Sequence, residues 1–399
     1  MRKIKNFGHL VWSIYWTVRC GYPAKKLYVI GVTGTDGKTT TCTLIYEVLK
    51  AAGIKAGLLS TVNAKIGNEE IDTGLHTTNP GPEILQPILK KAVAAGATHM
   101  VLEVTSHGLD QNRVWGCNFQ IGVLTNVTHE HLDYHKTFAN YRETKLKLFS
   151  GVKYAVLNRD DPSYEYMKTK IQDPRSKMQL IPYTKTNLKN ISPDLAGDYN
   201  KYNIGAAEAV AGILGIKGGI VARVVKNFAG VPGRREEVRA GQNFRVIVDF
   251  AHTPNALEVV LTQLRKELPP GGRLMAVFGC TGERDKGKRP MMGEIATRLA
   301  DGVILTSDDT RSENQDDIYE QILAGIPAAD EMIKKGTLVK ENDRRKAIEI
   351  AVKTARAGDI ILLAGKGHEK SILIGKTDRP WSDQREASRA ISGLINRAK

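Results

Sequence analysis

The stretch Leu27–Ala52, LYVIGVTGTDGKTTTCTLIYEVLKAA, limits what this chain can fold into more than any other. It reads as strand, glycine loop and helix. Leu27–Val32 is a short apolar, β-branched run suited to a buried parallel strand. Gly34, Thr35, Asp36, Gly37, Lys38 and Thr39 form the loop, with Thr40 following. Leu44, Ile45, Val48, Leu49 and Ala52 then share one helical face, and Gly53 stops the helix. Bare N–H groups at such a helix start attract phosphate, and glycines let the backbone come close. A lysine there puts a point charge on the terminal phosphates, and the hydroxyl after it can ligate Mg²⁺. The G-x-x-x-x-G-K-[ST] spacing is met imperfectly, since Val32 occupies the first glycine position and Gly31 and Gly34 are the nearest glycines. A tight βα turn with a chance lysine is the bland alternative. The agreement of strand, loop, lysine, hydroxyls and helix disfavours it.

With 399 residues, two or three domains are expected. A hydrophobic content of 41% supports a packed core and argues against general disorder. The net charge of +15 suits nucleic acid, an acidic membrane surface or an anionic substrate. No RNA-recognition, zinc-finger or helix-turn-helix signature accompanies it, and the basic residues are dispersed, so nucleic acid is not the expected partner. Cys20, Cys42, Cys117 and Cys280 are scattered without a CxxC pair, which fits buried thiols in a reducing, cytoplasmic setting.

Phe7–Val18 carries Leu10, Val11, Trp12, Ile14, Tyr15, Trp16 and Val18 after a basic start, and His9 and Arg19 bound it. It is too short to span a bilayer, and no clean small-residue cleavage site follows it. Residues 1–20 therefore form either a helix packed on the next domain or an interfacial helix with aromatic anchors and basic flanks, a possible peripheral membrane contact.

From Leu27 onward, strands alternate with helices. Strands are expected at Lys55–Thr61, Met100–Thr105, Gln120–Val127 and Tyr154–Asn158, with helices at Glu83–Ala95, Phe138–Phe149 and Tyr202–Leu214. Val231-Pro232-Gly233 reads as a hinge. A second series has strands at Phe244–Phe250, Leu274–Phe278, Val303–Thr306 and Ile360–Leu363. Its helices are expected near Ala256–Lys266, Met291–Leu299, Ile318–Ala324, Arg344–Ala355 and Glu386–Arg397. The predicted architecture is an α/β chain: an amphipathic segment 1–23, a nucleotide-binding domain 24–232 with a parallel sheet covered on both faces, and a second α/β domain 233–399. A ligand cleft between the two domains is expected.

Polar residues mark the strand ends. Glu103 ends a hydrophobic strand, where a carboxylate needs a partner or a metal. Asn126–His135, NVTHEHLDYH, follows the next strand. Its three histidines, Glu130 and Asp133 invite a zinc reading, but their spacing matches no zinc rule, and the phosphate loop favours Mg²⁺ with oxygen ligands. Tyr141, Lys145, Leu148 and Phe149 share a face that is otherwise apolar. A buried lysine has a lowered pKa, and its neutral amine can react with CO₂ to give an anionic carbamate able to ligate metal. Spacing alone favours a snorkelling lysine instead.

THEHLDYH followed by YRETKLKLF resembles the Mur ligase pattern in which this lysine is carbamylated. GTDGKTTT, EVTSHGLDQNR, GDYNKYN, VPGRREE, VDFAHTPNAL, FGCTGERDKGKRP, SDDTRSE and AGKGHE extend the match colinearly from Gly21 to the C-terminus. The chain resembles the MurE-type subfamily, which adds the third stem-peptide residue of peptidoglycan to a UDP-N-acetylmuramoyl-dipeptide. The resemblance implies a Mur ligase central domain, a Rossmann-like C-terminal domain, ATP and Mg²⁺. It implies phosphorylation of a carboxylate to an acyl phosphate, then attack by an amine. By resemblance, Gly34–Thr40 cradle the phosphates. Glu103, His131, carbamylated Lys145 and Thr39 hold magnesium. Asn203 meets the adenine side, and Asp249 and His252 close the nucleotide site. Thr77, Thr78, Thr105, Gln111 and Arg113 match positions contacting the muramoyl peptide. Arg284, Asp308, Asp309, Thr310, Arg311, Gly365 and Glu369 match the positions that grip meso-diaminopimelate. Arg311 suits a distal carboxylate bidentately and Glu369 an ammonium. The subfamily's Asp-Asn-Pro-Arg reads Asp308-Asp309-Thr310-Arg311 here. Keeping Arg311 favours diaminopimelate, whereas the extra acid favours a basic side chain such as lysine.

Only 26 residues precede Leu27, where MurE-type enzymes carry a uridine-binding domain, and the segment between Asp161 and Gly197 is short. The expected acceptor is then a UDP-sugar held more loosely, or a nucleotide-free or lipid-linked muramoyl peptide. A separate partner is the third option. The chain is expected to act as a monomer on small-molecule substrates. A folylpolyglutamate or poly-γ-glutamate synthetase is the enzymatic alternative, opposed by Thr77-Thr78, SHGLDQNR and Asp308–Arg311. A non-catalytic nucleotide-binding module is opposed by the joint presence of Lys38, Glu103, His131, Lys145 and Arg284.

Overall fold

The apolar run before the glycine loop forms β1 (Tyr28–Thr33), and all its residues but the first are buried. A strand covered on both faces needs strand neighbours on both edges. Those neighbours come from β2 (Ala56–Leu59), β3 (Ala64–Ile66), β4 (Glu69–Ile71), β5 (His99–Glu103), β6 (Phe119–Leu124), β7 (Tyr154–Asn158) and β8 (Gln179–Tyr183). They join in the order β4-β3-β2-β5-β1-β6-β7-β8. The strands from β2 to β8 in that order are parallel, and the β3–β4 hairpin is antiparallel at one edge. The computed structural model describes residues 2–71, 79–128, 130–172 and 177–398.

The helices α2 (Lys38–Ala51) and α3 (Pro82–Ala94) flank this sheet, and α1 (Arg2–Arg19) packs on α3. α2 packs on the helices Asp198–Ile213 and Gly218–Lys226. Val29, Leu102, Leu124 and Leu157 are buried with Leu85 and Leu89 of α3 and with Leu148 and Phe149. The predicted helix Phe138–Phe149 is α-helical to Leu146 and closes with a 3₁₀ turn, Lys147–Phe149.

The chain divides into units Met1–Ala229 and Gly230–Lys399. The second unit contains β9 (Glu236–Val238), β10 (Arg245–Asp249), β11 (Leu274–Phe278), β12 (Gly302–Thr306), β13 (Leu338–Glu341) and β14 (Ile360–Ala364), with a hairpin β15 (Ser371–Ile374) and β16 (Thr377–Pro380). The sheet order is β13-β12-β11-β14-β10-β9, parallel except for β9. One face buries Ile247, Ala276 and Leu305 under Leu257 and Leu261. The other buries Val246, Val277 and Leu363 under Ile348 and Ile391.

The apolar strands and amphipathic helices recur near their predicted places. The sequence reading missed both hairpins, β8, β9, β13 and the helices Ser106–Asp110, Leu132–His135, Tyr164–Ile171, Gly218–Lys226 and Ala329–Lys335. These strands are short edge elements; Thr377–Pro380, for one, is exposed throughout, so no burial alternation marks it. Of the missed helices, Gly218–Lys226 opens on Gly218-Gly219, a poor helix start by propensity.

Arg344 and Asp383 form a fully buried ion pair, with Nη2 and Nε at 2.7 and 2.8 Å from the two carboxylate oxygens. Arg344 Nη2 also donates to the Ala364 carbonyl at 2.9 Å, and Trp381 Nε1 donates to Asp383 at 2.8 Å. The pair ties two helix starts to the end of β14. Removing one partner strands a buried charge. Asp383→Ala is expected to cost about 3–5 kcal/mol in urea denaturation, and Asp383→Asn less, because it keeps an acceptor for Arg344.

Candidate active site

β1 lies between β5 and β6, so three adjacent parallel strands end side by side. Ligands of α/β sheets bind outside such carboxyl ends. β1 delivers the loop Gly34–Gly37, β5 delivers Glu103, and β6 delivers Thr125 and Asn126. Gly34 has φ 153° and Gly37 φ 79°. A Cβ at Gly34 would overlap the Thr125 hydroxyl, and one at Gly37 the Asn203 amide oxygen, so both positions demand glycine. Asn126 braces the loop in both senses: its Oδ1 accepts from the Asp36 N–H at 2.9 Å, and its Nδ2 donates to the Asp36 carbonyl at 3.1 Å. Thr125 Oγ1 donates to that carbonyl at 2.6 Å. Lys38 Nζ folds back onto the Thr35 carbonyl at 2.7 Å.

Thr39 Oγ1 donates to Glu103 Oε1 at 3.1 Å, and the Thr61 N–H donates to Oε2 at 2.8 Å. Glu103 is buried, so these donors stand in for the lost water. Lys145 is fully buried, and its Nζ donates to the Gly34 carbonyl at 2.7 Å. The snorkelling that spacing alone favours does not occur. Its neighbour Lys147 is the exposed one and pairs with Asp110 at 3.1 Å. Burial pushes the Lys145 ammonium well below its ordinary pKa, and nearby Lys38 pushes the same way against Glu130, Asp36 and Asp161. Its Nζ lies 4.3 Å from the centre of the buried Tyr141 ring, whose hydroxyl meets Thr35 Oγ1 at 3.0 Å. His131 sits in the same loop at φ 55°, its ring 4.8 Å from His107 and 6.3 Å from Tyr141. Its Nε2 lies 3.6 Å from Glu130 Oε2.

Asn203 is buried beside Gly37, accepting from Thr41 Oγ1 at 3.2 Å and donating to Asn200 at 2.8 Å. Past β5, Thr105 caps the helix Ser106–Asp110 by accepting from the Gly108 N–H at 3.0 Å. Arg113 Nε donates to Gln111 at 2.8 Å, and its Nη1 donates to the Asn79 carbonyl at 2.7 Å. Asn79 in turn donates to the Glu103 carbonyl and accepts from the Thr105 N–H, both at 2.6 Å. These contacts bring Thr105, Gln111 and Arg113 together with Glu103. Thr77, Thr78 and His129 lie outside the described residues.

In the second unit the expected residues again mark parallel strand ends: Asp249 ends β10 and His252 follows it, Arg284 comes after β11, Asp308–Arg311 after β12, and Gly365 and Glu369 after β14. Asp249 accepts from the Arg235 N–H at 2.8 Å, and Lys288 Nζ donates to the His252 carbonyl at 2.7 Å. Gly365 runs close to Asp308, with φ 108°. Among the described residues, Asp308, Asp309 and Glu369 are the one acidic group close enough to share a metal. Lys366 fills that role: fully buried, its Nζ lies 2.8 Å from Asp309 and 2.5 Å from Glu369. Asp308 and Glu369 lead in raising its pKa against burial, so it stays charged. The Leu373 N–H also donates to Asp309 at 2.9 Å. The extra acid in the Asp-Asp-Thr-Arg run is thus already neutralised. Arg311 stands at φ 54°, and its buried Nε has no hydrogen-bond partner among the described residues.

Sequence reading missed Asn79, Thr125, Asn126 and Lys366. Apart from Lys366–Glu369, three residues apart, their partners lie far off in sequence and no spacing rule joins them. It also missed buried Arg289, which donates to Glu313 at 2.7 Å. Glu313 accepts the Glu283 N–H at 2.6 Å and so holds the loop carrying Arg284. Arg289 holds the Glu313 carboxyl down from 4.5 to about 2, and the Glu283 N–H helps against burial. A depressed carboxylate contributes stability above its ordinary pKa, and that contribution is lost as pH falls towards 2. Glu313→Gln is expected to lower Tm at neutral pH and to flatten the acid limb of a Tm-against-pH profile between about 4.5 and 2. An acid limb parallel to the parent's would contradict this.

Residues 32–192 match the Mur ligase middle domain, and residues 233–367 match the "Mur ligase, glutamate ligase domain". The chain is 39% identical to the UDP-N-acetylmuramoyl-L-alanyl-D-glutamate--2,6-diaminopimelate ligase of Bacillus cereus, over 94% of this chain and 80% of that protein. A solved structure of a ligase of that name is similar at 33% identity and a TM-score of 0.61, covering 92% of this chain and 79% of that one. The Mycobacterium tuberculosis folylpolyglutamate synthase, solved with ADP, shares the fold alone: the TM-score is 0.71 at 16% identity, over 89% of this chain and 91% of that one. With two domain models matched in order, and a relative above a third identical along nearly the whole chain, the protein is a member of the Mur ligase family.

Proposed function

We propose that the chain is an ATP-dependent ligase of peptidoglycan precursor synthesis, joining the D-Glu carboxylate of a muramoyl-L-Ala-D-Glu peptide to the amine of meso-diaminopimelate. The observation that supports it most is the buried Lys145 held against the Gly34 carbonyl of the phosphate loop, the same loop whose Thr39 meets Glu103 at 3.1 Å. The substrate carboxylate takes the γ-phosphoryl group of ATP, giving an acyl phosphate and ADP. The amine then attacks the acyl carbon and phosphate leaves. Both steps need charge on phosphoryl oxygens neutralised and water kept out.

The loop Gly34–Thr40 would receive the phosphates on N–H groups other than those of Thr35 and Asp36, which donate to Asn126, and Lys38 would exchange the Thr35 carbonyl for the terminal phosphate. A lowered pKa gives Lys145 a neutral amine; attack on CO₂ forms an N–C bond, releases a proton and leaves a carbamate. Thr39, Glu103 and this carbamate, with His131, would supply the oxygen-rich ligands that suit Mg²⁺. That ion would offset negative charge on the transferring group. Thr105, Gln111 and Arg113, with Thr77 and Thr78, would contact the muramoyl peptide. Asn203, Asp249 and His252 would serve the nucleotide.

The amine pocket would draw on Arg284, Asp308–Arg311, Gly365 and Glu369. Because Lys366 neutralises Asp309, the extra acid does not call for a cationic side chain, and Arg311 is left to take a distal carboxylate. This favours diaminopimelate over lysine. The enzyme would work as a cytoplasmic monomer.

The test is phosphate release from ATP with UDP-N-acetylmuramoyl-L-Ala-D-Glu and either meso-diaminopimelate, L-lysine or no amine. Release is expected with diaminopimelate alone. Release with lysine instead would overturn the pocket assignment, and no release with any amine would overturn the acceptor. Lys38→Ala is expected to lower kcat roughly 10²–10³-fold, the scale of losing one preorganised charge at the transition state. Arg311→Lys keeps the charge but loses the fork. It is expected to cut kcat/KM for diaminopimelate about ten- to hundredfold while leaving KM for ATP unchanged.

A further inference from the structure

Helix α1 is packed the wrong way out for a helix at home in water. An amphipathic helix normally turns its apolar stripe to the core and its polar face to solvent. Here Ser13 and Thr17 are buried, 1% and 0% exposed, on the inward face. Thr17 sits so close to Gly116 that a Cβ there would strike it. Asn6 donates to Asp110 at 3.0 Å, and Trp12 Nε1 donates to Glu83 at 3.0 Å. The opposite face carries Phe7, Val11, Ile14, Tyr15 and Val18 at i, i+4, i+7, i+8 and i+11, and all five are exposed. Phe7, Val11 and Val18 are 67%, 52% and 51% exposed.

The helix and the turn that follows it carry charge of one sign in their own sequence, and the acids that meet the helix, Glu83 and Asp110, are hydrogen-bonded to Trp12 and Asn6. Arg2, Lys3, Lys5, Arg19, Lys25 and Lys26 all precede Asp36, the first acidic residue of the chain. Among the described residues no helix is long and apolar enough to cross a membrane. A continuous apolar stripe with Tyr15 on it and Trp12 beside it, on a segment whose own charges are all basic, fits a surface that is apolar below and anionic above. We propose that α1 docks the protein on the headgroup region of an anionic bilayer, lying in its plane with Phe7, Val11, Ile14 and Val18 inserted. The inward hydrogen bonds keep the helix on the protein while the stripe is engaged. This docking does not depend on the ligase reading.

Flotation with vesicles tests it. The full chain is expected to float with phosphatidylcholine–phosphatidylglycerol vesicles at low salt and to stay behind with phosphatidylcholine alone. The triple variant Phe7→Ser, Val11→Ser, Val18→Ser is expected to lose at least about tenfold in partitioning, from the apolar area withdrawn. Lys5→Glu is expected to lose about fivefold or more, and raised salt should act the same way. All these side chains are exposed, so the variants should keep the parent's Tm and its amine-dependent phosphate release with a soluble acceptor. Equal flotation of parent and triple variant, or no flotation with either vesicle, would overturn the proposal. So would a dimer in sedimentation that the triple variant dissolves, which would make a second copy the occupant.

Discussion

The phosphate loop depends on being held from the neighbouring strand. A glycine loop at a helix start has few contacts of its own, and its N–H groups must point outward for an anion to find them. Thr125 and Asn126 at the end of β6 bind the Asp36 backbone on both sides. Lys145 binds the Gly34 carbonyl from a helix further along the chain. Gly34 has no room for a Cβ because Thr125 fills it. Preorganisation of this kind is what makes backbone donors effective, since they need not reorient when charge arrives.

The same sheet logic serves both units. In each, parallel strands end together, and the residues just beyond their carboxyl ends are the polar ones. In the first unit these are the loop, Glu103, Thr125 and Asn126. In the second they are Asp249, Asp308, Asp309 and Gly365. Parallel strands are buried on both faces, so their chemistry can emerge only at the ends.

Charges that would be costly to bury are matched in the interior. Asp309 and Glu369 share Lys366, and Arg344 shares Asp383. The first arrangement bears on specificity: a reading of Asp309 by itself points to a cationic substrate, while its pairing with Lys366 removes that pull. Helix α1 follows the opposite rule, hiding hydroxyls and showing hydrophobes. An exposed apolar stripe of this kind marks a surface that meets another molecule or a membrane.

Local order was legible from sequence because apolar period and glycine placement dictate it. The β1–loop–α2 unit, the parallel strands and most helices follow from those patterns, and the motifs carried the family. Short edge strands and the glycine-led helix Gly218–Lys226 left no such period. Side-chain partnerships across strands were not legible, because they join residues tens of positions apart. Thus the sequence by itself determined that a lysine stands at position 145 on an apolar face; only the tertiary structure decided that it is buried against Gly34 rather than snorkelling. Likewise, the sequence determined that residues 7–18 form an amphipathic helix. Which face meets the protein was decided by Asp110, Glu83 and Gly116, which offer polar partners and close approach to one side and leave the apolar stripe outside.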